Sequence, residues 1–251
     1  MSCEHCVTGV RHEGTPEGSF VEIAGIQCYV ATPADEYDKA KVILYITDVF
    51  GIELVNHLLL ADDFARAGFK IVVPDLCEGD PLPSDFFTDP KYKEKLMDDL
   101  QAWLARHTFA HNTKRVQKVI HALKADGVQR FGSTGYCYGG RIIFDLVYVN
   151  ELDVAAMSHP SFLEIADLER YATNHKIPLL INSCEVDTQF TEEKRNKALE
   201  VFKNCSVPFN QPYFPGCTHG FAVRGDMNNA LIKAGKEGAF KSIVDWHKKY
   251  L

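Results

Sequence analysis

"FGSTGYCYGGRII", residues 131–143, decides the reading of this chain. It begins as a short apolar strand, passes through a sharp turn bracketed by glycines, and continues as a helix. Cys137 stands at the apex. Gly135 to Gly139 spell G-x-C-x-G, the form of a nucleophile elbow with sulfur in place of oxygen. The spacing has a steric reason. The apical residue takes a strained backbone that projects its side chain from the turn. Small residues two before and two after let strand and helix approach closely. The amides that open the helix then face the thiol and favour negative charge there.

Working outward, apolar runs alternate with helical patterns. "SFVEIAGIQCYVATP" reads as two short strands around Gly25, an antiparallel hairpin. "KVILYITDVFG" and "FKIVVPDL" are near-continuous apolar runs, as expected of strands buried on both faces. "LLLADDFARAG" between them has helical spacing and stops at Gly68. Cys77 to Lys91, rich in proline and acids, reads as a long loop. Helices follow near Tyr92–Arg106 and Thr113–Asp126. Beyond the elbow helix, Gly139–Asn150, the pattern continues through a strand at "DVAAMSHP", a helix at Leu163–Asn174 and a strand at "IPLLINSCEVD". It closes with a helix at Thr191–Asn204, a strand and loop at "FNQPYFPGC", and a last helix from Asn228 to Tyr250. This alternation predicts an α/β protein with a mainly parallel central sheet, helices on both faces and an N-terminal antiparallel hairpin. Residues 1–16 read as an irregular arm, and 17–251 as one domain.

In such folds, reactive groups collect at the carboxyl ends of strands. Polar residues there are Asp48, Cys137, Asp187 and His219, with His159 after "AAMS". An unperturbed thiol, with a pKa near 8.5, is only about a few per cent ionised at neutral pH and gains from a base. His219 lies in the glycine-flanked loop "PGCTHGFA". Asp187 is placed to orient its imidazole, although Glu185, two residues earlier, competes for that part. Asp48 either joins the site, caps a helix starting near Glu53 or makes a loop turn. His159 is a pocket wall or a structural loop histidine. Tyr136 reads as packing. The order nucleophile, acid, histidine is that of the α/β-hydrolase fold.

These segments resemble the dienelactone hydrolase family, a cysteine branch of the α/β-hydrolases. The matching pieces are "TDVFGIE", "VVPDL", "GYCYGGR", "EVDTQF" and "CTHGFA", spread from Val42 to Ala222. The resemblance implies a Cys137–Asp187–His219 triad and an oxyanion hole formed by the backbone N–H groups of Val49 and Tyr138. It implies that Asp48 occupies the place of a family glutamate that helps activate the thiol. The arginines that hold a substrate carboxylate in bacterial members correspond here to Gly79 and Val223. Arg224 is one residue further on, and Glu78 adjoins the first position. The arm and the "SHPSF" segment are similar to fungal members. The implied reaction is cleavage of a lactone or small ester through a thioester acyl-enzyme, with no cofactor. The competing reading is a catalytically silent or redox-responsive small-molecule-binding protein on the same fold.

Composition narrows the remaining classes. Net charge is −7 without a basic stripe, which argues against nucleic acid as a partner. No apolar stretch reaches the length of a membrane span, and the first residues do not read as a secretory signal, so the expected location is cytoplasmic. The eight cysteines then read as free thiols, mostly buried. Cys3-x-x-Cys6 with His5 is half of a zinc set, and no second pair completes it, so no metal is expected. Cys217, two residues before His219, is near enough in sequence to suggest a disulfide with Cys137 on oxidation. The expected state is a monomer or homodimer.

Overall fold

The computed structural model describes residues 13–174 and 176–251. The Cys3-x-x-Cys6 pair lies outside them. Among the described residues, nine strands form the sheet: β1 Ser19–Ile23, β2 Ile26–Ala31, β3 Lys41–Ile46, β4 Ile71–Pro74, β5 Arg130–Tyr136, β6 Val154–Ser158, β7 Leu179–Val186, β8 Phe209–Asn210 and β9 Tyr213–Thr218. The order is β1-β2-β4-β3-β5-β6-β7-β8, with β9 also paired to β7. β1 and β2 form the expected hairpin, and β2 joins β4 antiparallel; every other pairing is parallel.

Seven helices of the described residues cover the sheet: α1 Val55–Arg66, α2 Leu96–Arg106, α3 Phe109–Ala125, α4 Tyr138–Tyr148, α5 Ile165–Asn174, α6 Glu192–Lys203 and α7 Ala230–Tyr250. Alternate residues of β3 show how the two faces are served. Val42, Leu44 and Ile46 join an apolar cluster with α3 to α6, whereas Ile43 and Tyr45 join one with α1 and α7. This is why the strands read as continuous apolar runs rather than alternating ones.

Several local readings differ from the expectation; the helix expected from Tyr92 begins at Leu96. The helix expected from Thr113 begins at Phe109, because Thr108 caps it by accepting a hydrogen bond from the His111 amide. Asp48 does not cap α1, whose N-cap position is Leu54 without a side-chain cap. Instead the Asp48 carboxylate closes a turn by accepting from the Phe50 amide at 3.0 Å.

The sheet's right edge, as ordered above, sets the site. β7 pairs first with β8 and then with β9, with a register irregularity between Cys184 and Val186. That register sets Thr218 beside Val186, and the His219 amide donates to the Val186 carbonyl at 3.0 Å. The residues following each strand, Asp187 and His219, are therefore neighbours although 32 positions apart.

Candidate active site

Cys137 sits between β5 and α4 at φ 50° and ψ −112°, a conformation that L-residues rarely adopt. The turn is tight because two glycines permit it. A β-carbon on Gly139 would lie 2.4 Å from the Ile46 carbonyl oxygen and 2.8 Å from that of Thr47. One on Gly135 would lie 3.1 Å from the Gly139 backbone. The first turn of α4 is thus pressed against the end of β3, beside the loop that carries Asp48 and Val49. Neither the Val49 nor the Tyr138 amide donates a hydrogen bond to another described residue. The Tyr138 side chain is anchored elsewhere: its hydroxyl donates to the His107 carbonyl at 2.6 Å and accepts from Asn112 at 2.9 Å. Tyr136 is core packing, stacked on Tyr45 at 4.8 Å between centroids.

His219 Nδ1 lies 3.0 Å from Asp187 Oδ1. The same carboxylate oxygen accepts from the amides of Gln189 at 2.8 Å and Phe190 at 3.0 Å, which hold it in place. Burial works to raise the Asp187 pKa, but the His219 hydrogen bond and charge and these amides outweigh it, so the carboxyl stays below its ordinary value. A carboxylate only accepts, so Nδ1 carries the proton and Nε2 faces the thiol side. Burial works against charge on His219. Cys137, by charge and by hydrogen bond, and Asp187 overcome it and raise the imidazole pKa to about 10. Glu185, the competitor for Asp187, is exposed and accepts from the Gly216 amide at 2.6 Å.

Asp48 is fully enclosed and does not point its charge at a free space. Its Oδ1 is 2.8 Å from His57 Nε2, and its Oδ2 accepts from Arg224 Nη1 at 2.5 Å. His57 Nδ1 in turn lies 2.8 Å from the Tyr45 hydroxyl. Burial would raise the Asp48 pKa, but His57, Arg224 and the Phe50 amide together hold it well below the ordinary carboxylate range. Arg224 folds over the Phe50 ring, 4.5 Å from its centroid. Glu78 is paired with His111 and Arg115 at 2.8 and 2.7 Å.

His159 is fully buried at φ 40°. Its ring nitrogens are without a partner among the described residues, and the ring meets His219 edge-on, 5.0 Å between centroids. Burial, then the neighbouring His219, pushes its pKa far down, so it stays neutral. Ser161, two residues on, lies 3.3 Å from Cys137 Sγ and 3.5 Å from His219 Nε2.

Ser161 and His57 were not singled out by the sequence. Ser161 shares the "SHPSF" strand-end segment with His159, a positional signal that points to it. His57 sits inside a helix with no motif around it. Among the other described thiols, Cys28, Cys77, Cys184 and Cys217 are buried, as expected of inert cysteines, and Cys205 is half-buried. Burial pushes Cys28 and Cys184 up to about 12. The suggested Cys137–Cys217 disulfide is not supported: Cys217 is buried, with its sulfur 3.6 Å from the Leu231 carbonyl and packed against Gly235 of α7. Among the described residues, no group of three or more His, Cys, Asp or Glu side chains is arranged to hold a metal ion. No described helix is long and apolar enough to cross a membrane.

The model of the dienelactone hydrolase family matches residues 26–251. "Hydrolase pyvD" of Aspergillus violaceofuscus is 35% identical over 98% of this chain and 96% of its own length. "Dienlactone hydrolase 1" of Gibberella moniliformis is 29% identical over 96% of this chain and 91% of its own. A crystal structure from Klebsiella pneumoniae subsp. pneumoniae superposes with a TM-score of 0.70 at 15% identity, covering 90% of this chain and 93% of that one. At that identity it supports the fold alone.

Proposed function

This chain belongs to the dienelactone hydrolase family, hydrolases of esters and lactones on the α/β-hydrolase fold, and on that premise we propose that it cleaves a lactone or small carboxylic ester through a cysteine thioester. The observation that carries this reading is the strained Cys137 at the mouth of α4, facing a histidine whose far nitrogen is tied to a buried carboxylate.

The Cys137 thiolate attacks the carbonyl carbon. The oxyanion that forms accepts hydrogen bonds from the Val49 and Tyr138 amides, which make none within the described protein. His219, protonated as the thiolate forms, then donates that proton to the departing alkoxide. The acyl group remains on sulfur. His219, neutral again, takes a proton from water, and the hydroxide so formed releases the acid and restores the thiol. Asp187 keeps the imidazole in one tautomer and orientation throughout. Asp48 serves differently from the family glutamate: with both oxygens held by His57 and Arg224, it positions Arg224 at the edge of the site.

The test is a panel of a dienelactone, simple lactones and an activated aryl ester, run with wild type and Cys137→Ala. We expect turnover and an acid-trapped acyl adduct on Cys137 in the wild type, with neither in the variant. Turnover surviving in Cys137→Ala would overturn the nucleophile assignment. An adduct that forms and never hydrolyses would favour a binding protein over an enzyme.

A further inference from the structure

The "SHPSF" segment joins β6 to α5 and wraps the elbow. The Cys137 amide donates to the Ser158 carbonyl at 3.3 Å, and the Ser161 amide donates back to the Cys137 carbonyl at 2.9 Å. His159, at φ 40°, and Phe162, at φ 61°, both hold left-handed backbone conformations. These sparsely populated conformations persist only where the surroundings fix them. Here they fix Ser161, whose residue is 1% exposed, between the two reacting groups. Its hydroxyl is 3.3 Å from the thiol sulfur and 3.5 Å from the imidazole Nε2.

Resting on the reading of Cys137 as nucleophile, we propose that the Ser161 hydroxyl is a third catalytic group that carries the thiol proton to His219 and then stabilises the thiolate. The proton inventory of the site allows a relay through Ser161 at each stage. With Nδ1–H committed to Asp187, the neutral imidazole presents a bare Nε2 that accepts from the serine O–H. The serine oxygen accepts from the thiol S–H. On transfer the S–H bond breaks as a new O–H bond forms on Ser161, while the original serine O–H bond breaks and its proton bonds to Nε2. The products are a thiolate and an imidazolium, with serine unchanged in composition. Its hydroxyl now donates to sulfur and its oxygen accepts from the imidazolium N–H. A hydroxyl rotates to suit both stages; a fixed donor or acceptor would suit only one.

Cys137 and His219 also interact directly, and none of the other neighbours offers a second proton carrier. His159 closes the other side of His219 but stays neutral, and Phe221 packs against it. Asp187 is spent on Nδ1, and the Asp48–Arg224 pair is closed on itself.

The experiment compares wild type, Ser161→Ala, Ser161→Thr and Cys137→Ala in two readouts. One is the rate of Cys137 alkylation by iodoacetamide between pH 5 and 9. The other is single-turnover acylation by p-nitrophenyl acetate in mixtures of light and heavy water. For Ser161→Ala we expect alkylation at pH 7 and acylation to fall by about 10–100-fold, the scale of a positioned proton-transfer group. We expect Ser161→Thr, which keeps the hydroxyl, to recover most of that loss. Wild-type acylation should depend on deuterium fraction in a bowed manner, with two protons in flight, and the alanine variant linearly. Wild-type rates in Ser161→Ala with Cys137→Ala inactive would overturn the serine proposal alone. Activity persisting in Cys137→Ala would overturn the nucleophile instead. If the alanine variant fails to fold by near-ultraviolet circular dichroism, a linear dependence in the wild type still refutes the relay.

Discussion

Gly139→Ala tests the steric basis of the elbow. The added β-carbon would start 2.4 Å from the Ile46 carbonyl oxygen and 2.8 Å from that of Thr47. Both are backbone atoms of the strand end and its loop, so no rotamer change relieves the clash. A relaxed carbon–oxygen contact is about 3.3 Å, so α4 and β3 must part by roughly 0.9 Å at this point. The same movement carries the Tyr138 amide away from the Val49 amide across the proposed oxyanion position. Misplacement on the order of 1 Å costs about 100-fold in rate. Overpacking costs about 1–3 kcal/mol, and the better helix propensity of alanine returns at most about 1 kcal/mol, so the net sign is destabilising. In a domain of this size each kcal/mol lowers the melting temperature by about 2–4 °C. Kinetics on an aryl ester should show kcat/KM down about 100-fold, carried mainly by kcat, and calorimetry a lower melting temperature. Wild-type kcat with an unchanged melting temperature would refute the argument that close approach at Gly139 builds the site.

Two further predictions separate local roles. Asp48→Asn should cost about 2–4 kcal/mol at pH 7, because it removes the charge that His57 and Arg224 share in a buried setting, moderated by the partial exposure of Arg224. The folded pKa of Asp48 is lowered, so its contribution is complete above the unfolded value near 3.9 and is lost as pH falls below it. Urea titrations should therefore show the gap between wild type and variant closing below about pH 4; a gap constant down to pH 2 would contradict the linkage. Tyr138→Phe removes a hydroxyl bonded to the His107 carbonyl and Asn112, and should cost about 1–3 kcal/mol of stability. Its kcat should stay within about twofold, because the side chain is remote from the amide's part in the oxyanion hole; a large loss of kcat without loss of stability would reverse that assignment.

Much of this molecule was legible from residues close in sequence. The G-x-C-x-G spacing over Gly135–Gly139 specifies an elbow because the clash it avoids is between a turn and its own helix. The apolar runs of β3 and β4 specify buried strands. The proposed triad residues Cys137, Asp187 and His219 follow from their places at strand ends combined with family-like motifs. What the residues alone left open were contacts between strand ends whose distance depends on sheet order and register. Asp187 was preferred to its competitor Glu185 on the motif alone, and the β7–β9 pairing sets Asp187 beside His219. Asp48 was open between a cap and a site residue until the fold brought it His57 from nine positions away and Arg224 from 176. Ser161 carried no motif, and only the crossing of the β6–α5 segment over the elbow gave it two reactive neighbours. Short-range sterics and hydrophobic period are written along the chain. Which charge pairs with which is a property of positions that become neighbours only when the strands assemble side by side.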